Sequence, residues 1–262
     1  METGITVRLL GGLGNQLFQY AAALAVRNAN PSKPNVWFII FDENKHNKMG
    51  HNYIGDLFIE GKMHTMMPSP TYTYAQHGSF TQWDPLAIAQ NGSSVFLDGY
   101  FQYLPAIIPI LPLLRSSFLG ALRKKSGLAL RPMLDTGFVH VRRGDYLLNP
   151  TYHWVQTAEY YERGMKLLNL QKWIIFSDDI DWCSQQACFQ GCILADEPDE
   201  LKALDVMISC CGGAVISNST FSWWAAIFSA NEGRVVYPEF WSEKYTPTLF
   251  PREWTMLSSS SS

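Results

Sequence analysis

Short apolar runs alternate with longer amphipathic segments along most of this chain. The apolar runs predict buried strands at 5–10, 36–41, 94–103, 138–141, 173–176, 192–194, 214–216 and 235–237. The amphipathic segments predict helices at 17–28, 104–122 (in pieces), 157–168, 200–209 and 221–230. Strands that alternate with helices indicate a parallel, doubly wound sheet, so the predicted fold class is α/β.

A break in this pattern divides the chain into two parts. The basic, glycine-ended stretch 123–127 is soon followed by Arg131-Pro132, a combination typical of a linker. We therefore predict a domain over 1–130, a second domain over 131–257, and a disordered serine tail over 258–262. Within the first part the pattern loosens between 42 and 90, where no elements are predicted.

Charge and composition restrict the classes of function. The net charge is −3, whereas a chain-wide nucleic-acid interface needs a basic excess, so we expect no nucleic-acid partner. The five cysteines form no CxxC pair, which argues against structural zinc and for free thiols in a reducing compartment. Nine tryptophans and twelve tyrosines weakly favour a carbohydrate ligand.

The membrane signal is weak. The start of the chain lacks the features of a signal peptide, and the best apolar stretch, 104–114, is shorter than the ~20 residues of a spanning helix. Three prolines interrupt it. We predict a soluble, cytoplasmic protein without a transmembrane segment, with peripheral membrane association as an alternative.

A charged segment at 138–146 follows one of the apolar runs directly. On a strand, His140 and Arg142 point to the same side and Arg143 to the other. Gly144 permits a sharp turn that brings Asp145 back over the strand end. Arginines at the carboxyl end of a strand suit a phosphate or diphosphate, although a surface ion pair is the alternative.

A glycine-rich loop at 11–16 joins the first strand to the first helix. Its spacing is neither GxGxxG nor a Walker loop, which disfavours NAD and ATP as ligands. Gly12 and Gly14 still permit a close approach of a ligand to the backbone. Asn15 either caps the helix or faces a substrate, and capping is the more common role.

Two further strand ends in the second half carry polar clusters, at 177–179 and 218–222. In a parallel sheet these ends lie on one edge, together with the charged segment at 138–146. A hydroxyl-rich helix start suits an anion, although an ordinary N-cap is the alternative. The residues that would bind a nucleotide diphosphate here are Ser177, Asp178, Asn218, Ser219 and Thr220, with carboxylates on the ribose or base.

Metal chemistry is not favoured by these motifs. Asp178 and Asp179 are adjacent, so on a strand they point to opposite faces and form a poor metal clamp. Arginine can instead stabilise the charge that develops on a diphosphate leaving group. We therefore predict a metal-independent reaction without a cofactor. Trp223 and Trp224 are predicted to belong to the core rather than to stack on a ligand.

Four blocks of the sequence resemble the α-1,2-fucosyltransferase family, glycosyltransferase family 11. The blocks are GGLGNQLFQY at 11–20, HVRRGDY at 140–146, FSDD at 176–179 and NSTFSWW at 218–224, in the family's order. The resemblance implies a GT-B-like fold of two Rossmann-like domains with a cleft between them. It places the acceptor side in the N-terminal domain and the nucleotide-sugar donor in the C-terminal domain.

The resemblance also implies a reaction and residue roles. The reaction is transfer of L-fucose from GDP-β-L-fucose to a sugar 2-hydroxyl, with inversion and without metal. Arg142 is expected on the β-phosphate, His140 in the donor site, Asn15 facing the cleft, and Ser219 and Thr220 on phosphate. Asp145 is a donor-site residue and our candidate base, with orientation of Arg142 as its alternative role. The expected acceptor is a galactoside or another glycan that contains a hexose or pentose.

Two other functions remain open from the sequence. One is a transferase that uses a different GDP- or UDP-sugar on the same scaffold. The other is a non-catalytic glycan- or nucleotide-binding protein, which would bind these ligands without turnover.

Overall fold

The computed structural model describes residues 4–40, 53, 57–58, 61–63, 69–78, 80–242 and 248–258. The chain divides into two compact units, Met1–Lys125 and Ser126–Ser262. The predicted boundary at 130/131 lies slightly beyond this division. Of the predicted serine tail, only Ser258 lies among the described residues, and its hydroxyl donates to a Glu239 carboxylate oxygen at 3.0 Å.

Unit 1 is a parallel α/β unit. Its elements are β1 (Gly4–Arg8), α1 (Leu13–Ala29), β2 (Asn35–Ile39), β3 (Gly61–Met63), β4 (Tyr72–Ala75), α2 (Pro85–Gln90), β5 (Val95–Asp98), α3 (Leu104–Ile107), a 3₁₀ turn (Ile108–Ile110) and α4 (Leu111–Ser126). The five strands have the order β3-β2-β1-β5-β4, and every pair is parallel. Strand β1 lies at the centre of this sheet, and its apolar residues are buried on both faces, as a central parallel strand requires.

Helix α1 begins earlier than the predicted start at residue 17. Gly12 occupies the N-cap position, so the helix takes in Leu13 and Gly14. The buried face then runs from Leu13 to Val26 almost without interruption. The glycine loop is therefore short, and its second half is already helical.

Three elements in the region 42–90 were not predicted. Strand β3 is short and mostly exposed, and β4 alternates half-buried and exposed positions at the edge of the sheet. Neither shows the apolar run that identifies a buried strand. Helix α2 had a readable signal, because Asp84 caps it through the Leu86 N–H and Pro85 occupies its first turn.

The run 104–126 is longer than the sequence suggested. Its prolines lie in the first turns of successive helical pieces, where a missing N–H costs little. The pieces join into one helical run, Leu104–Ser126, of 23 residues and mean hydropathy 1.5. This run is long and apolar enough to cross a membrane, which corrects the expectation that it is too short. One such helix is weak evidence for a span, since core helices meet the same criteria.

Unit 2 repeats the parallel arrangement with more strands. Its elements are β6 (Thr136–Val141), a 3₁₀ turn (Asp145–Leu148), α5 (Ala158–Leu168), β7 (Lys172–Ser177), α6 (Ile180–Ser184), a 3₁₀ turn (Ala187–Phe189), β8 (Ile193–Ala195), α7 (Glu200–Ser209), β9 (Gly213–Val215), α8 (Thr220–Phe228), β10 (Val235–Pro238) and β11 (Thr255–Leu257). The strand order is β11-β10-β9-β6-β7-β8, again parallel throughout.

The core of unit 2 confirms the predicted role of the tryptophan pair. Trp223 and Trp224 on α8 are completely buried and pack edge to face, with ring centroids 4.9 Å apart. The Trp223 indole N–H donates to the Leu249 carbonyl at 3.0 Å. These rings fill the core and are not available to stack on a ligand.

The predicted α/β class is confirmed, with a Rossmann-like parallel sheet in each of two units, the composition of a GT-B-like fold. All five cysteines are free thiols, as the sequence predicted.

Candidate functional site

Three strand ends meet at one edge of the unit 2 sheet, as predicted. Strand β6 lies between β9 and β7, so the chain segments that follow these three strands are neighbours. Val141 is paired with Ser177, and Val139 with Val215. Every residue of β6 is buried, which fixes the position at which the chain emerges as a charged loop.

Arg142 is held between two carboxylates at this edge. One guanidinium nitrogen, Nη2, lies 2.8 Å from Asp145 Oδ1, and Nη1 lies 3.1 Å from Asp178 Oδ2. Its guanidinium carbon also lies 5.5 Å from the ring centroid of Tyr146. The side chain keeps 31% of its exposure, so an anion can reach it. Two ion pairs and an aromatic ring orient the guanidinium before any ligand arrives.

Arg143 makes a separate set of contacts. Its Nε lies 3.0 Å from Asp179 Oδ2, and its guanidinium lies over the Trp182 ring at 4.0 Å. Its side chain is only 16% exposed. The two adjacent arginines therefore have different partners, and Arg143 is the more buried of the two.

Gly144 is required by a close approach. A Cβ atom added at this position would lie 2.7 Å from Asp178 Oδ2, closer than Cβ atoms tolerate. The absence of a side chain thus lets Asp178 reach both Arg142 Nη1 and the Arg143 backbone N–H, the latter at 2.9 Å. The turn at Gly144 also brings Asp145 back to Arg142, as the sequence predicted.

His140 is a buried neutral base at the end of β6. Its Nδ1 lies 3.0 Å from the Ser217 hydroxyl in the loop after β9. Burial, as the largest cause, and the nearby Arg142 charge together lower the pKa of His140 from 6.5 to about 4, against a raising effect of Asp178. A neutral imidazole places no second positive charge beside Arg142 and links two of the three strand ends.

Tyr146 and Asn218 fix the loop that precedes α8. The Tyr146 hydroxyl donates to the Asn218 carbonyl at 2.9 Å, and the Asn218 side-chain amide donates to the Trp241 carbonyl at 2.8 Å. Burial raises the pKa of Tyr146, so it remains a neutral donor. Asn218 is 2% exposed, and these bonds use its polar groups to shape the loop. Its predicted contact with the donor stays a prediction.

Helix α8 begins at Thr220 beside this loop. Ser219 occupies the N-cap position, but its hydroxyl makes no capping hydrogen bond. Ser219 thus has the N-cap position of the alternative, without the side-chain hydrogen bond that usually accompanies it. The start of a helix carries the positive end of the helix dipole, which suits a phosphate. The phosphate contacts of Ser219 and Thr220 stay predictions.

The two aspartates that follow β7 bind the two arginines. Asp178 binds Arg142 and the Arg143 backbone, whereas Asp179 binds the Arg143 side chain and caps α6 through the Trp182 N–H. Ser177 accepts a hydrogen bond from the Asp179 N–H at 2.9 Å. Among the described residues, no three His, Cys, Asp or Glu side chains converge as metal ligands.

The glycine loop belongs to unit 1. Gly11 has φ +72°, and a Cβ there would lie 2.6 Å from the Asn15 side-chain nitrogen. Space is open next to Gly12, where an added Cβ meets no atom within 4 Å. Asn15 lies inside the first turn of α1 and accepts from the Gln102 amide at 3.1 Å. The capping role for Asn15 is therefore wrong, because Gly12 is the N-cap.

The sequence comparisons agree with this arrangement. The family model for Glycosyl transferase family 11 matches residues 84–258, which include the whole charged edge of unit 2. The chain belongs to glycosyl transferase family 11. It is therefore a glycosyltransferase, an enzyme that takes a nucleotide-sugar donor and a glycan acceptor.

Two proteins from Escherichia coli are similar in sequence to this family 11 chain. The O-antigen biosynthesis glycosyltransferase WbnK is 33% identical over 118 residues, which cover 41% of this chain and 39% of that protein. An α-1,2-colitosyltransferase is 25% identical over 97% of this chain and 98% of its own length. The chain thus spans well under half of the first relative and nearly all of the second.

Two solved structures that are similar to this chain have lower sequence identity to it. The NodZ α-1,6-fucosyltransferase has a TM-score of 0.47 and 12% identity, with 87% of this chain and 93% of that chain covered. The Escherichia coli heptosyltransferase WaaC has a TM-score of 0.49 and 9% identity, with 97% and 92% covered.

Three residues of this site, Tyr146, His153 and Ser217, were not predicted from the sequence to have a role. Tyr146 lies within the charged segment, but its bond to the loop before α8 depends on strand order. His153 stacks on Tyr146 with ring centroids 3.9 Å apart, and Ser217 binds His140. Only Tyr146 had a signal, its position next to Asp145 in a recognisable block.

The burial of His140 makes stability depend on pH. Because its pKa falls from 6.5 to about 4 on folding, the unfolded chain binds a proton between these values that the native chain does not. Stability should therefore fall as pH falls from 6.5 to 4, by up to about 3 kcal/mol from this group. The variant His140→Gln should show a smaller fall. Urea unfolding at pH 7 and pH 5 measures both, and equal pH dependence in variant and wild type would contradict the assignment.

Proposed function

We propose that this family 11 enzyme transfers L-fucose from GDP-β-L-fucose to the 2-hydroxyl of an acceptor sugar. The reaction inverts the β-configuration of the donor to an α-1,2 linkage. The acceptor is a galactoside or another hexose- or pentose-containing glycan. No metal and no cofactor takes part.

One observation carries the proposal: the accessible Arg142 guanidinium is held by Asp145 and Asp178 at the sheet edge where the strand ends meet. Guanidinium binds phosphate oxygens in a bidentate geometry. The start of α8 follows the neighbouring strand β9, so its positive dipole end can share the same diphosphate. Cation and helix dipole together supply the charge stabilisation that a bound metal supplies in other enzymes.

The proposed chemical step uses these residues as follows. The acceptor 2-hydroxyl oxygen forms a bond to C1 of fucose as the bond from C1 to the β-phosphate oxygen breaks. The proton of the hydroxyl passes to the Asp145 carboxylate, and the electron pair of the broken bond leaves with GDP. Arg142 stabilises the negative charge that grows on the β-phosphate. Asp145 is 59% exposed, so its second oxygen is accessible to an acceptor.

A second candidate donor comes from one relative. The α-1,2-colitosyltransferase aligns with nearly the whole chain, so colitose carried on the same nucleotide is the alternative to fucose. The proposed residues act on the diphosphate of the donor and on the hydroxyl of the acceptor, and both groups are the same for the two donor sugars. Donor choice therefore rests on contacts to the sugar itself.

Turnover with a panel of donors and acceptors tests the proposal. The enzyme is incubated with GDP-fucose, GDP-colitose or a UDP-sugar, in the presence of a set of galactosides and other glycans. GDP release and linkage analysis are the readouts, with Arg142→Ala as the control for contaminating activity. We expect an α-1,2-fucosyl product. Turnover with GDP-colitose alone would transfer the assignment to colitose, and binding of GDP without turnover would support the non-catalytic alternative.

Removal of divalent metal gives a separate expectation. Because Arg142 and the start of α8 supply the positive charge, turnover should be unchanged in EDTA. A loss of activity in EDTA that magnesium or manganese restores would contradict the metal-independent mechanism.

A further inference from the structure

The helical run 104–126 presents an unusual outer face. Exposed positions on a helix surface are usually polar, with the apolar stripe turned inward. Here the inward stripe is buried, at Leu114, Phe118 and Leu122 among others, yet Ile108 and Leu113 are 53% and 41% exposed. The exposed positions are Pro105, Ile108, Pro109, Pro112, Leu113, Arg115, Ser116, Gly120, Arg123, Lys124 and Lys125. We call this set the outer face of the run.

The outer face carries positive charge and no negative charge. Between Asp98 and Asp135 the sequence contains no aspartate or glutamate. The same interval contains the basic residues Arg115, Arg123, Lys124, Lys125 and Arg131. Since the whole chain has a net charge of −3, this concentration of cations is a local feature.

The neighbouring part of unit 1 extends the cationic surface. A surface cavity of about 270 Å³ is lined by Leu24, Arg27, Asn28, Lys33 and Leu113. Arg27 belongs to the last turn of α1, and Lys33 follows that helix. Leu113 of α4 thus lines the same cavity as Arg27 and Lys33.

We propose that the outer face docks this enzyme on a bilayer surface that contains anionic phospholipid. Ile108, Leu113 and the prolines enter the boundary between headgroups and acyl chains, as the apolar side of an interfacial helix does. The lysines and arginines bind the phosphate groups around them. The run lies on the membrane rather than across it, because its inner side is buried in the protein.

Other occupants fit this face less well. In a two-fold dimer the same patch meets itself, and here that places the cations of one copy against those of the other. A nucleic acid matches the cations but leaves the exposed Ile108 and Leu113 against a phosphate backbone. An anionic bilayer satisfies both the apolar and the charged positions.

Vesicle sedimentation tests the docking directly on the full chain. We expect the wild type to sediment with phosphatidylcholine vesicles that contain phosphatidylglycerol, and much less with vesicles of phosphatidylcholine alone. Binding should weaken as salt is raised, because the surface potential is screened. No sedimentation with anionic vesicles, or equal sedimentation with both kinds, would overturn the proposal. This result does not depend on turnover, so it stands or falls separately from the proposed function.

Two variants separate the apolar and the charged contributions. The pair Ile108→Gln/Leu113→Gln should weaken binding about tenfold through lost apolar burial. The triple change Arg115→Gln/Arg123→Gln/Lys124→Gln should weaken it about 10²-fold, since each cation near an anionic surface contributes about fivefold.

The matched control removes the same kind of side chain elsewhere. Leu167 and Ile193 in unit 2 are 54% and 62% exposed, and Leu167→Gln/Ile193→Gln should leave vesicle binding unchanged. Circular dichroism and light scattering of each variant confirm folding and the oligomeric state. Equal loss in the control pair, or a wild-type dimer that the Ile108→Gln/Leu113→Gln pair dissociates, would refute lipid docking.

Discussion

Arg142→Ala should lower turnover by about 10²-fold to 10³-fold, the usual cost of removing one group that stabilises developing charge. The physical reason is the loss of the cation that meets the β-phosphate as its bond to fucose breaks. The fall should appear mainly in kcat, because the charge on the leaving group is greatest in the transition state. Steady-state kinetics with GDP-fucose measure both constants, and near-normal kcat in this variant would remove Arg142 from the mechanism.

Arg142→Lys tests how the arginine acts. Lysine keeps the charge but cannot bind Asp145 and Asp178 at the same time through a planar fork. The turnover of Arg142→Lys should therefore lie between that of Arg142→Ala and that of the wild type.

Arg143→Ala is the matched control for this site, since the same residue type lies one position along the chain. The Arg143 guanidinium binds Asp179 and covers Trp182, and it is largely buried. Its removal should lower the melting temperature while turnover falls less than about tenfold. An equal loss of turnover in both alanine variants would mean that the two arginines act as one unit.

The strand ends of unit 2 show what the sequence could predict. Apolar runs identified β6, β7 and β9 because these strands are buried on both faces. Polar groups placed directly after such runs must meet at one edge of a parallel sheet, and they do.

The partners of these groups could not be predicted in the same way. The ion pair between Arg142 and Asp178 depends on β7 lying next to β6, and the bond from Tyr146 to Asn218 joins the segment after β6 to the segment after β9. Strand order decides both contacts, and local pattern does not encode strand order. Edge strands such as β4 were missed because half of their side chains are exposed.

Asp145→Asn should lower turnover by about 10²-fold or more if this carboxylate takes the acceptor's proton, because general bases contribute about 10²-fold to 10⁴-fold. The amide keeps the shape and can still accept from Arg142, so orientation of the guanidinium is largely preserved. What it loses is the ability to bind a proton. A base must be ionised to act, so wild-type activity should decline towards low pH, and this acid limb should disappear in the variant.

Asp178→Asn separates the base from the residue that only orients. Both Asp178 oxygens are already in use, one on Arg142 Nη1 and one on the Arg143 backbone N–H. Its variant should lose turnover through a less well positioned Arg142 but retain the acid limb of the wild type. The same profile in Asp145→Asn, with a loss below about tenfold, would make Asp145 a second orienting residue. In that case the reaction proceeds through a loose, oxocarbenium-like transition state in which Arg142 supplies most of the stabilisation.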